Sequence, residues 1–222
     1  MNNPDITHSK AKILVVDDHP IVRRGFLQLI NQESDLEVCG EAEAINEAYL
    51  LIPRLQPDLI ILDISLKDGN GLDLLKRINA DFPGLPVLVV SMHGEALYAE
   101  RVIRLGARGY VMKEEAEDTV IAAIRDVLEG KIYLSEAAQE RLVNSLVTRT
   151  PGENESPIHS LSNRELEIFR LIGEGLGTRQ IAERLHVSVK TIESYRARIK
   201  HKLQLANSHE LVQQAILWTQ KS

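Results

Sequence analysis

Over the first 130 or so positions, two hydrophobic rhythms alternate. Apolar runs stand at Ile13-Leu14-Val15-Val16, Leu36-Glu37-Val38-Cys39, Leu59-Ile60-Ile61-Leu62, Val87-Leu88-Val89-Val90 and Ala107 to Met112. Between and after them, apolar residues recur at the spacing of one helix face: Ile21, Val22, Phe26, Leu29 and Ile30; Ala48, Leu51, Ile52 and Leu55; Leu72, Leu75 and Ile78; Tyr98, Val102 and Leu105; Val120, Ala123, Ile124, Val127 and Leu128. The short runs read as strands and the spaced sets as helices. Five strand–helix units in succession predict an α/β fold, a doubly wound five-stranded parallel sheet of flavodoxin-like order 2-1-3-4-5.

After Gly130 the rhythm changes. A short helical pattern from Ala137 to Val147 predicts a connector, and Arg149 to Pro157, turn-rich and apolar-poor, predicts an exposed flexible linker. Everything beyond reads as a second, smaller all-α domain. Ser162-Asn163-Arg164-Glu165 is a capping box, and Leu166, Phe169, Arg170 and Ile172 carry the helix to the break at Gly173, Gly175 and Gly177. A short helix from Thr178, a turn at His186-Val187-Ser188, a longer helix over 189–203 and a last one capped by Asn207-Ser208 complete it. The expected division is 10–130, 131–157 and 158–222.

Composition adds little to this picture, and charge adds more. At 44% hydrophobic and 26% charged, the chain is ordinary for a soluble globular protein. Residues 1–148 carry 15 Lys and Arg against 24 Asp and Glu, whereas residues 149–222 carry 11 against 8. An acidic part joined to a basic part suggests different partners, with nucleic acid a candidate for the second. No run reaches the roughly 20 apolar residues that span a membrane, the start lacks a signal-peptide core, and the single cysteine, Cys39, reads as a buried core thiol. These features predict a cytoplasmic protein without membrane contact.

The chemistry lies where the strands stop. The first runs into Asp17-Asp18, the third into Asp63, the fourth into Ser91 and the fifth into Lys113. Parallel strands would bring all five groups to the carboxyl edge of one sheet, where open α/β folds build their sites. Three acids, a hydroxyl and a lysine suit a divalent cation and a phosphoryl group. Mg²⁺ needs only one or two carboxylates beside phosphate oxygens, and Asp17, Asp18, Asp63 and the backbone carbonyl of Ser65 are the candidate ligands. Asp63 would be the covalent acceptor, Lys113 would pair with a phosphoryl oxygen, and Ser91 would donate a hydrogen bond to another. Each alone has a plainer reading: a turn-forming aspartate, an acidic helix start, a helix cap, a solvated lysine. Their coincidence at every strand end is the signal.

These segments resemble the receiver domain of bacterial two-component response regulators over about residues 12–130. The resemblance rests on Ile-Leu-Val-Val-Asp17-Asp18-His-Pro, Leu-Asp63-Ile-Ser-Leu-Lys-Asp-Gly-Asn-Gly71, Val-Val-Ser91-Met-His and Gly-Ala-Arg-Gly-Tyr110-Val-Met-Lys113. It implies that a sensor histidine kinase phosphorylates Asp63, and that Ser91 and Tyr110 form a switch pair, the tyrosine turning inward as the hydroxyl engages phosphate. Two positions depart from it: Lys67 and Glu114 stand where many relatives have proline.

In the helical part, two helices joined by a tight turn form a helix-turn-helix candidate. On the second, Ile192, Ile199 and Leu203 would pack inward, while Lys190, Glu193, Ser194, Ala197 and His201 share the opposite face and could enter a major groove. Arg196, Arg198, Lys200 and Lys202 flank that face and could reach phosphates, which position rather than specify. Leu161-Ser162-Asn-Arg-Glu165, Gly175 to Ala182 and Val187 to Ile192 resemble the LuxR-type DNA-binding domain over about residues 158–220. Receiver plus this domain is the arrangement of the NarL/FixJ family of transcriptional regulators. That analogy implies base contacts from Lys190, Glu193, Ser194 and Ala197, and backbone contacts from Thr191, Tyr195, Arg196 and Lys202. It also implies double-stranded DNA as a partner, a homodimer formed on phosphorylation or DNA binding and paired in part through the last helix, and RNA polymerase as a further contact. Two rivals are a phosphorylation-independent receiver serving as a dimerisation module and an aspartyl-phosphate phosphatase. The phosphatase usually needs a second Asp two residues after its nucleophile, where Ser65 stands here.

Overall fold

The central apolar runs become strands because each is buried on both faces. β1 (Ala11–Val16), β3 (Leu59–Leu62) and β4 (Val87–Ser91) are the centre of a parallel sheet, with β2 (Leu36–Ala42) and β5 (Gly109–Met112) outside them, in the order β2-β1-β3-β4-β5. The computed structural model describes residues 10–147 and 157–220. Most of the expected linker falls outside them.

α1 (Pro20–Asn31) and α5 (Ala116–Leu128) cover one face of the sheet. Phe26, Ile30, Val120, Ala123, Ile124 and Val127 pack there on Ile13, Val15, Ile61, Leu88 and Val90. By the period-2 alternation of strands, Leu14, Ile60, Leu62 and Val89 point the other way. That side belongs to α2 (Ile45–Leu55), α3 (Gly71–Asp81) and α4 (Glu95–Arg104), which bury Ala48, Ile52, Leu72, Leu75, Ile78, Tyr98 and Val102. The register sets the functional edge. Val16 stands opposite Leu62, and Leu62 opposite Val89, so the residues that follow β1, β3 and β4 emerge side by side.

Several boundaries differ from the sequence expectation. β2 runs on to Ala42, and as an edge strand it is only partly covered, so Cys39 is half-buried and not a core thiol. α5 starts at Ala116, after a 3₁₀ turn over Lys113–Glu115. A small antiparallel ladder, Ser65–Leu66 against Gly69–Asn70, lies in the loop after β3. The connector region is also not all connector. Tyr133 forms a parallel bridge with Gly109, its amide donating to the Arg108 carbonyl (2.9 Å) and its carbonyl accepting from the Tyr110 amide (2.9 Å). Leu134 and Ala138 are buried. The chain divides into two compact units between Leu142 and Val143, inside α6 (Glu136–Val147).

The second unit holds α7 (Asn163–Gly173), α8 (Thr178–Arg184), α9 (Val189–Lys202) and α10 (Ser208–Thr219). The capping box forms as its residues suggest, Ser162 Oγ accepting from the Glu165 amide and Glu165 Oε2 accepting from the Ser162 amide (2.7 Å). α7 and α10 pack closely at Gly173, where a Cβ would meet the Ala215 carbonyl oxygen at 2.5 Å. Phe169 and Trp218 fill the adjoining space at 5.5 Å between ring centres. Ile181, Ala182, Ile192, Ile199, Leu203 and Leu211 complete the core. Among the described residues no helix is long and apolar enough to cross a membrane.

Candidate functional site

At the carboxyl edge of the sheet the chain buries charge. Asp17 and Asp63 are 1% and 2% exposed. Buried charges persist only when paired, and Lys113 supplies the pairing: its Nζ lies 2.5 Å from Asp17 Oδ2 and 2.8 Å from Asp63 Oδ2. Asp63 is held by backbone as well, its amide donating to the Val16 carbonyl (2.9 Å). Its Oδ1 is buried and has no hydrogen-bond partner among the described residues. One carboxylate oxygen is thus fixed by an ammonium, and the Ser91 hydroxyl is a further neighbour that favours the charged carboxylate.

Asp18 lies nearer the surface. His19 Nδ1 is 2.7 Å from Asp18 Oδ1 and 3.2 Å from Asp17 Oδ1, and the His19 amide donates to Asp17 Oδ1 (2.8 Å). Asp17, Asp18, His19 and Asp63 bring one donor atom each within 4.8 Å of one another. Burial pushes the Asp63 carboxyl above its ordinary range, against the pull of Lys113. Burial alone would lower the Lys113 ammonium, but Asp63 and Asp17 outweigh it and hold it above normal. With these carboxylates gathered around one lysine, the site is short of positive charge.

The loop after β3 is shaped to leave Asp63 in place. Gly71 opens α3 against the backbone of Asp63, and Asn70, buried, caps that helix by accepting from the Leu72 amide (2.9 Å). Lys67, one of the departures from the receiver pattern, reaches out to Glu43 (2.9 Å), while Asp68 accepts from the Ile45 amide (2.7 Å) at the start of α2. Ser65 directs its hydroxyl to His93 Nε2 at 3.1 Å. Ser91 is buried at the end of β4. Tyr110 faces inward, its ring buried and its hydroxyl donating to the His93 carbonyl; that burial raises the pKa of the phenol. The structure therefore brings together Asp17, Asp18, Asp63, Ser91 and Lys113, with Tyr110 close behind. Sequence reading missed His19 and His93. An imidazole next to Asp17-Asp18 was open to view, but the contact of His93 with Ser65 joins two loops 28 residues apart, and its ring stacks on Tyr98 (5.1 Å between centres).

In the second unit, Ser188 caps α9 by accepting from the Thr191 amide (3.1 Å), and the Thr191 hydroxyl lies 2.8 Å from that of Ser188. Lys190, Glu193, Ser194, Ala197 and His201 are all exposed, and Ile192 and Ile199 are buried behind them. Arg198 stacks on the Tyr195 ring (4.8 Å), and Arg196 is half-buried. Lys202 has partners of its own: its ammonium lies 2.6 Å from Oε2 of buried Glu165 and 3.1 Å from the Ser160 carbonyl. Burial pushes the Glu165 carboxyl up, but Lys202 and Ser162 outweigh this and hold it below its ordinary range. Such a group adds stability above its unfolded-state pKa and loses it as pH falls through the folded one. Lys202→Ala is therefore expected to cost about 1–2 kcal/mol at neutral pH, and less in acid, where Glu165 is protonated. Thermal melts at the two pH values, followed through Trp218, check this.

Comparison with known proteins sets these geometries in a family. Residues 13–125 match the response regulator receiver domain, and residues 159–215 match the luxR family of bacterial regulatory proteins. The oxygen regulatory protein NreC of Staphylococcus carnosus is 39% identical over 209 residues, covering 92% of this chain and 96% of its own. This chain belongs to the NarL/FixJ family of response regulators. The NreC of Staphylococcus haemolyticus is 37% identical over the same span. Among solved structures, RcsB of Salmonella typhimurium superposes with a TM-score of 0.64 at 28% identity, over 93% of this chain and 97% of that one. RcsB of Salmonella enterica serovar Typhimurium bound to promoter P1flhDC in the presence of phosphomimetic BeF3⁻ gives 0.63 at 28%, over 93% and 98%. As a NarL/FixJ response regulator, this protein is a phosphorylation-dependent, DNA-binding transcription regulator of a two-component system.

Proposed function

We propose that Asp63 is the phosphoryl acceptor and that residues 10–130, 131–157 and 158–222 respectively receive, connect and read DNA. The observation that carries this is the division of labour on one buried carboxylate: Oδ2 is held by Lys113, while Oδ1 makes no close hydrogen bond among the described residues and has Ser91 as its neighbouring hydroxyl. Oδ1 would form the bond to phosphorus as the phosphorus–nitrogen bond of a kinase phosphohistidine breaks, the imidazole leaving with the bonding pair. Lys113 then pairs with one phosphoryl oxygen and Ser91 donates to another. The inward Tyr110 follows Ser91 as the second half of the switch. The hard oxygens of Asp17, Asp18 and Asp63 suit Mg²⁺, with the Ser65 carbonyl as a further ligand, and a bound Mg²⁺ would offset the added negative charge. The chemistry is confined to the protein's own aspartate, so it turns over no external substrate.

On this reading the cytoplasmic regulator receives its signal from a sensor histidine kinase and dimerises when phosphorylated, with α10, where Leu217 is exposed, contributing to the pairing on DNA. Lys190, Glu193, Ser194 and Ala197 meet base edges, while Thr191, Tyr195, Arg196, Arg198 and Lys202 lie along the backbone; RNA polymerase is the further output partner. The test is sedimentation and operator binding with and without beryllium fluoride and Mg²⁺. The loaded protein is expected to double its mass and bind a two-half-site operator at least about tenfold more tightly, as two linked half-sites do. Glu193→Ala and Ser194→Ala should shift base preference by about 1–3 kcal/mol at the contacted position, while Arg198→Ala should weaken all sequences alike and lower the salt slope by about one. Equal mass and equal affinity in both states would refute the proposal.

A further inference from the structure

The first residues of the connector are fastened to β5, which carries Tyr110, and to α4, which begins one loop after Ser91. On one side is β5. The Tyr110 amide donates to the Tyr133 carbonyl, and the Tyr133 amide donates to the Arg108 carbonyl, both at 2.9 Å. The approach needs a bare backbone between them, since a Cβ on Gly109 would stand 2.9 Å from the Tyr133 carbonyl oxygen. On the other side is α4. Glu95, its first residue, grips Ser135 with both carboxylate oxygens: Oε1 accepts from the Ser135 amide (3.0 Å) and Oε2 from its hydroxyl. Ser135 is in turn the cap of α6, its Oγ accepting from the Ala138 amide (3.2 Å) and its carbonyl from the Gln139 amide (2.9 Å).

The position of Glu95 gives this contact a direction. It follows Ser91 by one loop, and the carbonyl of His93 in that loop accepts the hydroxyl of inward-facing Tyr110. With Tyr110 inward, the loop, the first turn of α4 and the cap of α6 are joined in one chain of hydrogen bonds. An outward Tyr110 takes that donor from the His93 carbonyl and removes one restraint from the loop that carries Glu95.

We infer that Glu95 is a positioning residue that couples the Ser91–Tyr110 switch to the connector helix, by holding the Ser135 cap of α6 when Tyr110 is inward. The inference rests on the reading of Asp63 as the acceptor. A charge-assisted bond to a helix cap adds order at the start of that helix, so phosphorylation would stiffen the first turn of α6.

The test is hydrogen–deuterium exchange of the full chain with and without beryllium fluoride and Mg²⁺, beside mass-spectrometric labelling of Asp63 by acetyl phosphate. In the wild type, loading is expected to slow exchange of amides 135–140 about tenfold, the scale of one charged hydrogen bond. Glu95→Gln and Ser135→Ala should label at the wild-type level yet lose the slowing, and Ser135→Thr, which keeps both hydroxyl and cap, should restore it. A purely structural contact would instead raise exchange equally in both states. Full slowing in Glu95→Gln, or none in a wild type whose Asp63 is labelled, would overturn the inference alone. Absence of any labelling at Asp63 would sink the reading beneath it as well.

Discussion

Asp63→Asn is expected to take up no phosphoryl group from acetyl phosphate and Mg²⁺ under conditions that label the wild type. The amide loses the nucleophilic oxygen, and the expected fall is at least about a hundredfold, as for removal of other covalent acceptors. Mass spectrometry of the acid-labile adduct reads it directly; full labelling of the variant at another residue would remove Asp63 from its role. The same substitution should raise the melting temperature when Mg²⁺ is absent. The carboxyl of Asp63 is held above its ordinary pKa, chiefly by burial. A group raised in the folded state favours folding at low pH and loses that contribution as pH rises through its folded pKa. Above that folded pKa the charged Asp63 is therefore a burden, and asparagine relieves it. The difference between variant and wild type should shrink as the pH is lowered. A carboxylate that opposes the stability of its own fold is a pattern common to functional sites.

Gly71→Ala should unfold the receiver unit or come close to it. The added methyl would stand 2.0 Å from the carbonyl oxygen of Asp63, 3.1 Å from its carbon and 3.2 Å from Cα of Ile64. Every one of those atoms is backbone, so no rotamer change makes room, and a loss of about 3 kcal/mol or more follows. Denaturant melts measure it, and any variant that folds should label poorly because Asp63 has been displaced. Gly25 supplies the contrast. It lies inside α1, where an added methyl group would meet nothing within 4 Å, so Gly25→Ala should be neutral or stabilising by about 0.5–1 kcal/mol. Equal gains at the two glycines would show that helix propensity, and not the contact with Asp63, governs position 71.

The receiver was readable because burial on both faces turns its central strands into unbroken apolar runs, and each run stops on the group that matters. Asp17, Asp63, Ser91 and Lys113 could be gathered from one dimension for that reason. Sheet order supplied what local pattern could not: Cys39 sits in an apolar run, yet its strand is at the edge and the thiol is half-covered. Lys202 shows a second limit. Four basic residues in seven positions look alike by spacing, and only the fold turns one of them toward Glu165, 37 residues away. The bridge at Tyr133 was hidden for a similar reason, since a single extended residue after a helix carries no periodicity to read.

A parallel sheet has two outer margins, and each is a row of amides and carbonyls that a stray strand could join. In this receiver the two margins are guarded by different means. Along β2 the outer strand carries the charges of Glu37 and Glu41. Along β5 the chain closes the margin itself, with Tyr133 occupying the hydrogen bonds of Arg108 and Tyr110. Backbone zippering between copies is thereby discouraged on both flanks, which leaves side chains on helices as the surfaces open to a partner. Those surfaces can be remodelled by a switch and released again, whereas a sheet extended across copies would hold its partner regardless of signal.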